Sequence, residues 1–177
     1  MFLNSSHFFY CGNGKVSLKT VGLALLVMFI SNCSIIPADP NKSFENAIKA
    51  GLSVGYASNP PWVIDSNGNA EGIEADIVKG FAKTNGMKIK WEKGPEQKLM
   101  KKLEKKELHI VITGMTKDNP WKSEKIGITM PYYKEKKVKR IIAVQQGENR
   151  LTMNLEKYFF ENKASITSLI NENKPEF

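Results

Sequence analysis

The run LHIVITGMT, residues 108–116, decides how this chain folds. LHIVITG is almost wholly apolar, as a strand covered on both faces must be. Small residues then turn the chain, and Thr116 closes the turn. A turn of this kind at the carboxyl end of a buried strand can present backbone amides to an anion. The stretch continues as KDNPW to Trp121.

Working outward, elements of both kinds alternate. Residues 52–56 (LSVGY) read as a strand, and 57–62 (ASNPPW) as a loop, because prolines lack donors and hold the preceding residue extended. Asn67-Gly68 is a turn signal. Residues 75–86 read as a helix with Asp76 as N-cap and Gly86 as its stop. Residues 87–91 (MKIKW) alternate as a half-buried strand. Residues 96–106 form a lysine-rich helix with Leu99 and Leu103 on one side. Downstream, 126–133 (IGITMPYY) is extended, 139–145 (KRIIAVQ) is a strand, and 149–163 is an amphipathic helix. Strand–helix alternation predicts an α/β fold with a mainly parallel sheet flanked by helices.

The 177 residues carry 26 Lys and Arg against 18 Asp and Glu, a formal charge of +8. The densest basic run, residues 98–106, reads as a solvated helix face, and no nucleic-acid-binding motif accompanies it. Lys15 and Lys19 precede the apolar run 20–30, the pattern of a secretory signal. ISNCS, residues 30–34, resembles a lipobox, which predicts lipidation at Cys33; an uncleaved anchor is the other reading. Both put the domain outside the cytoplasm, on the periplasmic face in a Gram-negative cell. The predicted organisation is a signal peptide (1–32), a lipid-anchored tether (33–50), a lobe (51–163) and a polar C-terminal tail (164–177). Cys11 leaves with the signal, so no disulfide framework is expected.

In open α/β sheets ligands sit outside the carboxyl ends of the strands. Three loops leave such ends here: ASNPPW, the GPEQ stretch and TGMTKDNPW. LSVGY, NPPW, NGNAEGIEADIVKGFAK, LHIVITGMT and ITMPYY, in that order over residues 52–144, resemble the bacterial extracellular solute-binding proteins of family 3. The resemblance implies one lobe of a periplasmic-binding-protein-like (type II) fold. It implies a small amino-acid-like or carboxylate-bearing solute and an ABC permease as partner. It also implies that Trp62 stands where an aromatic packs on the ligand, and that Gly114, Met115 and Thr116 stand where backbone and hydroxyl groups hold a carboxylate. Amino-acid binders of the family place an arginine a few residues after the threonine; Trp121 stands there instead. Trp121 is either a second wall of the cleft or a docking residue for the NPW turn. The family's second lobe is not in this sequence, so a homodimer or a second-lobe partner is expected to complete the cleft.

Catalysis is not expected: the chain offers no histidine pair, no mature free cysteine, no metal-ligand cluster and no nucleophile elbow. No metal, cofactor or nucleic acid is implied. Glu74 reads as solvated, His109 as a hydrogen-bonded core or edge residue, and Tyr132 and Tyr133 as packing residues. The competing function is an envelope interaction module that has lost solute binding and docks a protein or glycan.

Overall fold

The computed structural model describes residues 39–173, apart from residue 124; the predicted signal and Cys33 lie outside the described residues. Ser43–Ala50 forms α1, Leu52–Tyr56 β1, Ile64–Ser66 β2 and Asn69–Glu71 β3. Asn67 and Gly68 join β2 to β3 with φ of 51° and 82°, the positive pair that a type I′ turn needs. Ile73–Thr84 is α2, Ile89–Lys93 β4, Glu96–Glu104 α3 and Ile110–Ile112 β5. A 3₁₀ turn at Pro120–Ser123 leads to β6 (Ile126–Ile128). The short strands β7 (Tyr133–Glu135), β8 (Val138–Arg140) and β9 (Ala143–Gln145) follow. Asn149–Glu161 (α4) and Lys163–Asn173 (α5) close the fold.

One five-stranded sheet, in the order β4-β1-β5-β9-β6, organises the lobe. β1 pairs in parallel with β4 and β5, whereas β9 is antiparallel to both β5 and β6. Four strands therefore share one direction and β9 alone opposes them. The fold is a single α/β lobe with a mixed sheet flanked by helices.

The continuous apolar run at β5 has the cause expected of it. Ile110 and Ile112 face one core, with Leu52, Val54, Phe81, Leu151 and Ile170, while Val111 faces the other, with Leu99, Leu103 and Met115. The first core lies under α1, α2, α4 and α5; the second lies under α3.

Four local readings are corrected by the structure. Residues 43–50 are not tether but a docked helix: Phe44 and Ala47 are buried, and Glu148 receives hydrogen bonds from the Asn41 side chain and from the Ser43 N–H (3.4 Å). Residues 164–173, read as part of a polar tail, belong to α5, because Ile166 and Ile170, four apart, bury one side of the helix against the first core. The strand expected over 139–145 breaks between β8 and β9. There the ribbon that began as the β6–β9 pair leaves the sheet and continues as the β7–β8 pair. Asp76 does not cap α2. Gly72 holds the N-cap position, and the orphan amides of Ile73 and Glu74 donate to the carbonyls of Pro61 (3.3 Å) and Trp62 (2.9 Å). Asp76 sits in the first turn and pairs with Lys79 at 3.4 Å on the surface.

Candidate functional site

The loops after β1, β4 and β5 meet at the carboxyl ends of those strands, and side-chain hydrogen bonds tie them together. Asn59, in the first loop, donates through Nδ2 to the carbonyl of Thr113 at 2.7 Å. Trp121, at the end of the third, donates through Nε1 to Glu96 Oε1 at 2.6 Å, which joins it to the second. Gly114 has a φ of 68°, and a Cβ there would lie 2.6 Å from Asn59 Nδ2 and 2.9 Å from Trp62 Cβ. Only glycine meets both demands, so the turn and the Pro-Pro loop approach as closely as backbones can.

Glu74, read from the sequence as solvated, is fully buried beneath this junction. The α2 N-terminus projects its carboxylate toward the turn. Gly114 N–H donates to Glu74 Oε2 at 2.8 Å and the Tyr132 hydroxyl donates to Oε1 at 2.7 Å. Burial pushes the Glu74 carboxyl up to about 7, against those two hydrogen bonds and the nearby charge of Arg140. Burial also raises the Tyr132 hydroxyl well above its usual range, reinforced by the Glu74 charge. The Gly114 amide is thus committed to an internal carboxylate. Of the sequence expectations for packing residues, Tyr132 fits, and its hydroxyl does more than pack.

Arg140, at the end of β8, completes the cluster. Its guanidinium lies 4.0 Å from the centroid of the Trp62 ring, and Nη1 donates to the Gly114 carbonyl. The strand that carries it is pinned to the turn: Lys117 N–H donates to the Lys139 carbonyl (2.8 Å) and Ile141 N–H to the Met115 carbonyl (3.1 Å). No arginine stands within a few residues after Thr116, but one reaches the same turn from a strand 24 residues further on.

The predicted residues divide accordingly. Trp62, Gly114 and Thr116 come together around Arg140. Trp62 is 8% exposed, so its ring is largely covered in this conformation. Met115 is adjacent, but its side chain belongs to the second core. Thr116 is half-buried, and its backbone bridges to Arg140. Trp121 packs against the second core while holding Glu96, which places it at the outer side of the junction. His109 lies just before β5 and accepts the Ser53 N–H through Nδ1 at 3.0 Å; burial lowers its pKa. Among the described residues no group of three His, Cys, Asp or Glu side chains could hold a metal ion.

Sequence reasoning missed Glu74, Arg140 and Asn59. One signal for Arg140 was present. The chain has two arginines among its 26 basic residues, and both stack on aromatics: Arg140 on Trp62, and Arg150 at 5.5 Å over Phe44. A planar guanidinium does what the compact ammonium of lysine cannot.

Comparison with curated proteins returns no match. Among solved structures, the arginine-bound form of domain 1 from TmArgBP is 26% identical, with a TM-score of 0.56 over 64% of this chain and 96% of that one. A point mutant of the same domain gives 24% identity and a TM-score of 0.60, over 68% of this chain and 98% of that one. An ancestral cationic amino acid solute-binding protein gives 14% identity and a TM-score of 0.66, over 76% of this chain and all of its own. The profile of the bacterial extracellular solute-binding proteins, family 3, matches residues 52–176, a span that takes in the whole junction. That family is of a binding and not a catalytic type. By that match this chain belongs to the bacterial extracellular solute-binding proteins, family 3.

Proposed function

We propose that this chain is the solute-capturing lobe of an extracytoplasmic uptake system, and that it binds a small amino-acid-like or carboxylate-bearing solute at the three-loop junction. The observation that carries this is the convergence of the loops after β1, β4 and β5, tied by Asn59–Thr113 and Trp121–Glu96, where open α/β sheets receive ligands. Support also comes from a relative in which a single domain 1 is described with arginine bound. Trp62 supplies the ring, Thr116 a hydroxyl, Gly114 and Met115 the turn, and Trp121 the outer boundary. An ABC permease is the partner. A second lobe, or a second copy, would cover the solute and exclude water from it. The lobe proper spans 51–163 in this reading, with α1 and α5 packed onto it. The chain is held at the membrane through a lipid on Cys33.

Thermal unfolding across a panel of amino acids, small carboxylates and amines tests the reading. One class should raise Tm saturably; a ligand at 100 times its Kd stabilises by about 2.7 kcal/mol. Trp62→Ala and Thr116→Val should each weaken that binding at least about five-fold, roughly 1 kcal/mol, while the fold persists. Unchanged affinity in both would sink the site assignment.

A second reading, a docking module, is favoured by a different feature. A cavity of about 360 Å³ beside α4 and α5 is rimmed by Met130 and Phe160, which are 63% and 81% exposed. A cooperative melt that no compound shifts would favour it.

A further inference from the structure

The Trp62 ring, the Gly114 carbonyl and the Glu74 carboxylate that holds the Gly114 N–H form a small cradle, and one side chain already lies in it. We propose that this cradle is a guanidinium-binding subsite which the chain occupies with its own Arg140, so that a guanidinium-bearing amino-acid solute binds by displacing that side chain. The inference rests on the solute-binding reading above and names both the solute class and the device that guards the site.

The chemistry of the cradle selects a flat cation. An aromatic face attracts positive charge, a carbonyl accepts one N–H, and the carboxylate behind the turn supplies a favourable field. A guanidinium can lie flat on the ring and donate in its own plane at the same time. An ammonium is a compact, strongly hydrated charge without a face to stack. A neutral urea of the same shape keeps the hydrogen bonds but loses the attraction to ring and carboxylate.

The occupant can leave without disturbing the fold. The backbone of Arg140 is held from both sides. Its carbonyl accepts the Tyr132 N–H at 3.0 Å, and its neighbours Lys139 and Ile141 bond to Lys117 and Met115 of the turn. Displacement therefore needs only rotation of the side chain, which is half-buried and so has a path to solvent. Its docking is also incomplete. Arg140 Nε is buried and has no hydrogen-bond partner among the described residues, a cost that a free ligand is not bound to repeat. The other arginine differs in this respect, since Arg150 pairs with Glu45 at the surface. A tethered occupant competes at high effective concentration, so a free solute meets a site whose apparent affinity is lowered by its own chain.

The test is calorimetric titration of the full chain, wild type, Arg140→Ala and Arg140→Gln, with L-arginine and with its uncharged isostere L-citrulline. The Trp62 indole resonance is followed in parallel. Arg140→Ala is expected to bind L-arginine at least ten-fold more tightly than wild type and to shift the Trp62 signal. Arg140→Gln, which keeps a donor for the Gly114 carbonyl, should show a smaller gain in the same direction, and citrulline no gain in either. Equal or weaker arginine binding by both variants overturns the proposal while leaving the solute reading intact, provided wild type still binds a member of the panel. An equal gain for citrulline overturns the guanidinium assignment. Loss of cooperative folding in both variants would make Arg140 a structural keystone and overturn the proposal too. If none of the three proteins binds any solute, this inference and the solute reading fall together.

Discussion

Glu74 lies where three kinds of force oppose one another. Burial disfavours its charge, two hydrogen bonds favour it, and Arg140 favours it from a distance. Burial prevails, so the carboxyl titrates near 7 in the fold instead of near 4.5. The sign follows directly. Between those values the native state holds a proton that the unfolded chain has lost, so this group destabilises the fold as pH rises from about 4.5 to 7. The loss totals about 3 kcal/mol at 1.36 kcal/mol per unit. Glu74→Gln keeps an acceptor for the Gly114 N–H and a partner for the Tyr132 hydroxyl without the charge. Its chemical denaturation midpoint is therefore expected to vary less with pH than wild type over that window. A parallel slope in both proteins would refute the assignment. Little of this was legible in the sequence. Glu74 looks like any acid in the first turn of a helix, and its partners stand 40 and 58 residues away. Arg140 is hidden for the same reason: it lies 24 residues from Thr116 along the chain, and the ribbon folds β8 back onto the turn.

The helices that flank the sheet show where periodicity informs and where it fails. α3 matches its sequence pattern because Leu99, Met100 and Leu103 have a clear apolar core to cover and lysines elsewhere. α5 was missed because two isoleucines in eleven residues make a weak stripe, yet both find the core. α1 reads in the sequence as no more than a turn of helix in a tether, because what docks it is a polar group far along the chain. Glu148, itself fully buried, receives the Asn41 side chain, the Ser43 N–H and, at 3.3 Å, the Lys106 ammonium. Burial pushes its carboxyl up, but the hydrogen bonds from Asn41, Lys106 and the Ser43 N–H outweigh that and hold it below its usual range. Glu148→Ala is expected to destabilise the lobe by about 2–3 kcal/mol, since it strands several donors at once. Hydrogen exchange should quicken first in Ser43–Ala50, and uniform quickening across the lobe would show that α1 is not a separately docked unit.

The whole lobe follows from one decision, a strand apolar on both faces, because such a strand needs helices above and below it. The fold class and the loops that gather at the strand ends were therefore legible, while the reversal of β9 was not, since a hydrophobic run carries no direction. At this scale the membrane anchor is the claim to test. Two acyl chains hold a protein stably, whereas a net positive charge, +8 for the full sequence and two less without Lys15 and Lys19, holds it to anionic lipid only until salt screens it. After a high-salt wash the wild-type chain should remain with membranes and Cys33→Ser should be released. Retention of the variant would point to an uncleaved apolar anchor.

The sheet order leaves β4 at an edge, with no second strand hydrogen-bonded to it among the described residues. Lys88, Lys90 and Lys93 stand exposed along or beside that edge. A neighbouring molecule that tried to extend the sheet would have to strip water from these ammonium groups and bring like charges together. The alternating lysines that mark β4 as half-buried thus also oppose the joining of copies of this lobe edge to edge.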